Sequence, residues 1–90
     1  MFKPQVTIIT EETRRDYANS YGRNRSPYKT IQYKTYRELK KNLKKHLQES
    51  IEDTVSVVRS KHDWGWGYGE WYEHWALERG KPVIVKEGWS

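Results

Sequence analysis

An α+β fold is predicted for this 90-residue chain by three features of its sequence. One capped amphipathic helix lies near the middle of the chain, runs of β-branched residues flank it on both sides, and turn-forming residues separate these runs. The predicted order is ββαβββ, a mostly antiparallel sheet of about five strands with the helix packed on it. A chain of this length has room for one core, so residues 1–90 are expected to form a single domain.

Two strands are predicted before the helix. The run from Val6 to Thr10 is rich in β-branched residues, and Val6 and Ile8 face away from Thr7 and Ile9, which is typical of a strand. Residues 28–34 also alternate, with Thr30 and Gln32 on one side and Ile31 and Tyr33 on the other, and they are predicted to form a second, half-buried strand.

The segment between these strands, residues 11–27, has no hydrophobic periodicity and ends in turn formers, so it is predicted to be a long mobile loop. Two tyrosines lie between its arginines, and this combination of residues can wrap a phosphate backbone and stack on bases. The candidate binding residues of this segment are Arg14, Arg15, Arg23 and Arg25. A solvated loop without a binding role is the alternative interpretation.

Thr35 and Glu38 match a capping box at the start of a helix predicted over residues 36–52. Apolar side chains recur behind it at spacings of three and four residues and form one stripe. These are Tyr36, Leu39, Leu43, Leu47 and Ile51.

The opposite face of this helix is basic. Its candidate binding residues are Arg37, Lys41, Lys44 and Lys45, with Lys40 at the edge of the cluster. Like charges four residues apart destabilise a helix by roughly 0.2–0.5 kcal/mol per pair, so these charges are not placed to stabilise it. An anionic partner would relieve the repulsion, whereas a solvated lysine face is the equally common alternative.

Three strands are predicted after the helix. Residues 54–61 alternate around three valines, and residues 70–78 and 82–87 are predicted to form a hairpin around the turn signal Arg79-Gly80-Lys81. The spacing of the aromatic residues in the first arm of this hairpin also fits a helix, so that alternative stays open.

The stretch from Trp64 to Trp75, W-G-W-G-Y-G-E-W-Y-E-H-W, holds four of the five tryptophans. In an extended chain Trp64, Trp66 and Tyr68 lie on one side, and the glycines between them leave the other side bare. Such rings are a candidate stacking platform for bases, although the alternative is a glycine-rich turn whose rings fold back onto the core. Trp71 and Trp75 share a strand face with Leu77 and are predicted to be core.

Several classes of function are disfavoured by composition and motif. The chain has no cysteine, its three histidines lack metal-ligand spacing, and no catalytic motif is present, so we expect no metal, no cofactor and no enzymatic activity. No apolar run resembles a signal peptide or a membrane span, which makes the cytoplasm the expected location. The net charge of +5 favours anionic partners.

Charge and aromatic residues are segregated along the chain. Residues 1–30 carry six Lys or Arg against three acids, residues 31–53 carry six against four, and residues 54–90 carry five against five. We therefore hypothesise a non-catalytic module that binds nucleic acid, with basic residues on phosphates and aromatic rings on bases.

The alternative is a protein-binding adaptor or inhibitor that uses the tryptophan-rich segment as an interface hot spot. Trp, Tyr and Arg are the residue types that dominate such hot spots, and the lysines would steer the chain towards an acidic partner. A homodimer formed by pairing the edge strand at 82–87 also stays open.

Overall fold

The protein folds into a five-stranded antiparallel sheet with a helix packed on one face, which confirms the predicted α+β class. The structure, a computed structural model, describes residues 2–20, 26–63, 65 and 67–90, without the side chain of Tyr68. The elements, in chain order, are β1 (Gln5–Ile8), α1 (Glu11–Asn19), β2 (Lys29–Gln32), α2 (Tyr36–Glu49), β3 (Thr54–Asp63), β4 (Tyr68–Glu78) and β5 (Lys81–Trp89).

The order of strands in the sheet is β2-β1-β3-β4-β5, and every neighbouring pair is antiparallel. β3 and β4 are the longest paired strands, and the short β1 pairs with only the first half of β3. The far half of the β3–β4 hairpin therefore extends beyond β1. β2 and β5 are the two edges of the sheet.

The core lies between α2 and the central strands. Alternate residues of β1 and β3 point towards the helix, and the leucine stripe of α2 covers them, as the helical and strand periodicities require. The buried core side chains are Val6, Ile8, Leu39, Leu43, Leu47, Val55, Val57 and Trp75. Ile31, Tyr33 and Tyr36 pack against this core and are half-buried.

The prediction of a loop over residues 11–27 is wrong for residues 11–19, which form α1. The helix begins at an N-cap in which the Thr10 hydroxyl accepts a hydrogen bond from Thr13 N, and the Thr13 hydroxyl accepts one from Thr10 N. α1 buries no residue, so it has none of the apolar periodicity from which helices are predicted. Its formation depends on local capping instead.

α2 begins as predicted, with the Thr35 hydroxyl accepting a hydrogen bond from Glu38 N, but it ends at Glu49 rather than at residue 52. The backbone of Ser50 turns to an extended conformation, and Ile51 N then donates to Ile9 O at 2.8 Å. This bond ties the chain to the end of β1. Ile51 is consequently exposed instead of extending the apolar stripe.

The aromatic segment that fitted both helix and strand is a strand over residues 68–78, as the hairpin argument predicted. Trp75 is buried in the core, and Trp71 is half-buried on the same face. Leu77 was expected to join them but is exposed, because its partner on β5 is Pro82, next to the β4–β5 turn at the edge of the sheet.

Candidate functional site

The two flanks of α2 carry opposite charge. Lys40, Lys44 and Arg37 lie on the flank that faces Arg59 of β3, together with Lys41. The acids Glu38 and Glu49 lie on the other flank, towards β2. Burial is the main cause of the raised pKa of Tyr33, and these two carboxylates raise it further. The helix therefore presents a basic side and an acidic side to the two halves of the sheet. Only the basic side adjoins a groove rich in cations.

That groove lies between the first two turns of α2 and β3, and it is open, with a volume of about 420 Å³. We call it the cationic groove. Its lining residues are Tyr36, Arg37, Lys40, Lys41 and Arg59. Four of these five side chains are positively charged at neutral pH, and none of the described residues that line the groove is a carboxylate.

The floor of the cationic groove is built around the ring of Tyr36. The Arg59 guanidinium carbon lies 4.2 Å from the centroid of this ring, and Lys40 Nζ lies 5.5 Å from it. Both distances are within the range of cation–π attraction. Two cations from different elements are thereby held on one aromatic surface.

The pairing of β3 with β4 is irregular at Arg59. Val57 pairs with Glu73 and Ser60 pairs with Trp71, so one extra residue of β3 is accommodated between them as a bulge. The side chain of Arg59 is half exposed, and its Nη1 lies 3.8 Å from Glu73 Oε2. Arg59 thus puts a positive charge beside the helix at the point where the register of β3 shifts.

Glu73 is a buried carboxylate beneath the cationic groove, with 1% of its surface exposed. Its Oε1 accepts hydrogen bonds from the Tyr36 hydroxyl at 2.5 Å and from Trp75 Nε1 at 3.0 Å, while Oε2 has no hydrogen-bond partner among the described residues. Burial and the hydrogen bond to Glu73 raise the pKa of Tyr36. Tyr36 is therefore a neutral donor at physiological pH, and its ring is fixed at both ends.

Two tryptophans continue the helix-bearing face of the sheet beyond Glu73. Trp71 pairs with Trp89 across β4 and β5, and their rings meet edge to face with centroids 5.4 Å apart. His62 of β3 contacts the Trp89 ring in the same manner, at 6.4 Å. Aromatic rings in this arrangement attract one another, so the orientation of Trp89 is fixed by its neighbours.

A second opening at the other end of α2 has the opposite character. It has a volume of about 660 Å³ and adjoins the start of α1. Its charged lining residues are Glu11, Glu12, Asp16, Lys29 and Glu49. Four carboxylates against one lysine disfavour an anion here, so the cationic groove is the better candidate for an anionic ligand.

Arg14 and Arg15 do not join the cationic groove. α1 follows shortly after Ile9 in the chain. Ile9 O accepts a hydrogen bond from Ile51 N, just beyond α2, so α1 lies near the C-terminal end of α2. The groove lies at the N-terminal end of that helix, which is about 21 Å long at 1.5 Å per residue. Arg14 is moreover paired with Glu11 at 2.8 Å.

The structure separates the other predicted residues into three groups. Arg37 and Lys41 line the cationic groove, whereas Lys44 lies one turn beyond it and Lys45 Nζ lies 3.9 Å from Glu49 Oε1 on the exposed surface. The remaining candidates lie outside the described residues, except that for Tyr68 this holds for the side chain alone. These are Arg23, Arg25, Trp64, Trp66 and the side chain of Tyr68.

Sequence reasoning missed three groups that shape this site: Arg59, Glu73 and Trp89. The sequence contained one signal for Glu73. This residue falls on the same strand face as Trp71 and Trp75, which were predicted to be core, so its carboxylate could be expected to be buried. Arg59 has the same parity as the buried valines of β3, which indicates the face of the sheet on which it lies but not its contact with Tyr36. Trp89 lay beyond the predicted end of the last strand.

Comparison of the chain with protein-family models, with curated proteins and with solved structures finds no match. Among the described residues, no group of three or more histidines and carboxylates is arranged to hold a metal ion. No helix in this part of the chain is long and apolar enough to cross a membrane.

Proposed function

We propose that the protein is a non-catalytic module that binds nucleic acid, with phosphate groups in the cationic groove. The observation that carries this proposal is the convergence of four cations from two elements on one groove, with Lys40 and Arg59 held on the ring of Tyr36. A phosphodiester backbone presents anionic oxygens that guanidinium and ammonium groups bind in this way.

The electrostatics of α2 support the same proposal. Arg37 lies in the first turn of the helix, where the macrodipole is positive and disfavours cations, and Lys40 and Lys41 follow in the second turn. The charge of Arg37 therefore adds to the helix dipole instead of being offset by it. The side chain of Arg59 adds a further positive charge from the sheet. An anion in the groove would be attracted by all of these charges together.

The interaction can be measured by fluorescence anisotropy with a labelled single-stranded 12-mer over a range of salt concentrations. The affinity should fall steeply with salt, because each phosphate neutralised in a single strand contributes about −0.7 to the slope of log K against log salt. The double variant Arg37→Gln, Lys41→Gln should bind more weakly and have a slope smaller in magnitude by about 1.4.

The matched control is the double variant Arg14→Gln, Arg15→Gln, which removes the same net charge from α1. Its salt slope should change much less, because these residues lie at the other end of α2. An equal effect of both variants would show that affinity follows net charge and not the groove. Absence of any binding at low salt would refute the proposal.

A protein-binding adaptor or inhibitor is the second candidate, and a different observation favours it. The edge strand β5 exposes the apolar side chains of Ile84, Val85 and Trp89, residue types that are suited to a partner's surface. Capture of partners from cell extract before and after nuclease treatment separates the two functions. Protein partners that survive nuclease favour the adaptor, and loss of every partner favours the nucleic-acid module.

A further inference from the structure

The most exposed tryptophan of the described residues lies on the same face of the sheet as the cationic groove. Trp89 pairs with Trp71, and Trp71 is two residues along β4 from Glu73, the carboxylate beneath the groove. Two residues of a strand span about 6.7 Å, and paired residues of neighbouring strands are about 5 Å apart. Trp89 is therefore within the reach of one or two nucleotides from a phosphate held at Arg59.

The exposure of Trp89 is unusual for so large an apolar side chain. It remains 51% exposed although its ring contacts Trp71 and His62. Its orientation is fixed by those contacts, and a tryptophan side chain has only two rotatable bonds, so little further entropy would be lost when a ligand packs on it. A ring that is held in place and exposed is suited to stacking.

We infer that the ligand of the cationic groove is a single-stranded nucleic acid, one of whose unpaired bases stacks on the indole of Trp89. The inference rests on the proposed function and adds the class of nucleic acid and the residue that contacts a base. Bases in a duplex are paired and stacked on one another, whereas bases of a single strand are free to stack on aromatic side chains.

A carboxylate between the cationic groove and Trp89 directs the path of the bound nucleic acid. Glu87, two residues before Trp89, is close enough to Tyr36 to contribute to the raised pKa of that tyrosine. Its carboxylate repels phosphates from the β5 side of the groove. The backbone of the ligand therefore follows Arg59 and α2, and its bases project towards Trp89.

The test compares a 12-nucleotide oligothymidylate with an abasic 12-mer that has the same phosphates. Trp89→Leu keeps an apolar side chain but removes the aromatic ring, and it should weaken binding of the oligothymidylate by roughly 5- to 150-fold, the range measured for one base stacked on an aromatic ring. Binding of the abasic strand, and of a 12-base-pair duplex, should be unchanged. Trp89→Phe should restore most of the lost affinity.

The control is Val85→Ala, which alters another exposed apolar residue of β5 and should leave both affinities unchanged. Circular dichroism of each variant checks that the fold is intact. If the oligothymidylate binds no better than the abasic strand, or if Trp89→Leu weakens both ligands equally, the stacking inference is overturned and phosphate binding in the groove still stands. If neither strand binds at low salt, the proposed function and this inference both fail.

Discussion

Arg59 of β3 holds its guanidinium carbon 4.2 Å from the ring centroid of Tyr36, the first residue of α2. The hydroxyl of the same tyrosine donates a hydrogen bond to the buried Glu73, whose second oxygen lies 3.8 Å from Arg59 Nη1. Three side chains from a helix and two strands thus form one connected unit. It joins the start of α2 to the centre of the sheet and leaves the Arg59 charge at the surface of the cationic groove.

This unit stabilises the fold chiefly through the Tyr36 hydroxyl. Tyr36→Phe keeps the ring beneath Arg59 but removes one of the two donors to Glu73 Oε1, so a buried carboxylate loses a hydrogen bond. The free energy of unfolding should fall by about 1–3 kcal/mol, measured by urea denaturation. Binding of nucleic acid by the folded variant should change little, because the groove keeps its four cations.

Tyr28→Phe is the matched control for this substitution. It also removes a tyrosine hydroxyl that donates to a glutamate, at 2.6 Å to Glu52 Oε1, but this pair is exposed to solvent. Its loss should lower the free energy of unfolding much less than Tyr36→Phe does, because solvent replaces the lost hydrogen bond. Equal losses in the two variants would show that burial of Glu73 adds nothing to the hydrogen bond.

The two helix N-caps should differ in the same way. Thr35→Ala removes the cap of α2, which covers the core, and should lower the free energy of unfolding by about 1 kcal/mol. Thr10→Ala removes the cap of α1, which buries no residue, so it should reduce helical circular dichroism at 222 nm without a comparable loss of global stability. A loss of global stability as large as that of Thr35→Ala would mean that α1 is coupled to the core.

The contrast between these helices explains how much of the fold was predictable. α2 was predicted because Leu39, Leu43 and Leu47 are buried at helical spacing, and burial leaves a periodic pattern in a sequence. α1 has no buried face, so hydrophobic periodicity could not predict it. Its capping box was also missed, because Thr13 occupies the position where a Glu or Gln is the usual signal.

The site was predictable only in part, for a related reason. Arg37 and Lys41 were found because they lie on one helix and their angular positions follow from their spacing. Arg59 enters the same groove from β3, across a bulge that changes the register, and contacts between distant residues do not follow from local patterns. The groove thus required the tertiary structure, as did the approach of Trp89 to it.

The stability of the protein should depend on pH through His46, which is buried against Tyr33. Burial lowers the pKa of this histidine, Lys45 and Lys29 lower it further, and the nearby carboxylate of Glu49 opposes them. The unfolded chain therefore takes up a proton below about pH 6.5 that the folded chain resists. The free energy of unfolding should fall as the pH is lowered through this value.

Urea denaturation at pH 7.5 and at pH 5.5 measures this dependence. His46→Gln should reduce the difference between the two pH values, because the buried titrating group is gone, even if the variant is less stable at both. Unchanged pH dependence in His46→Gln would contradict the assignment.

Removing the carboxylate of Glu87 should strengthen the binding of nucleic acid. Glu87 pairs with Glu73, the carboxylate beneath the cationic groove, and is close enough to raise the pKa of Tyr36, so its charge should oppose that of a phosphate in the groove. Glu87→Gln should raise the affinity for a single-stranded 12-mer by roughly 1.5- to 5-fold at low salt, as expected for one exposed charge interaction. The gain should shrink as salt is added, because exposed charges are screened.

Glu78→Gln is the control, since it makes the same change of net charge at the other end of β4 and beside the β4–β5 turn. A ligand held in the cationic groove distinguishes the two carboxylates by distance, so Glu78→Gln should leave the affinity nearly unchanged. If both variants gain equally, the ligand responds only to the overall charge of the protein. If Glu87→Gln loses affinity, the strand uses this carboxylate as an acceptor, and the path along Arg59 and α2 is wrong.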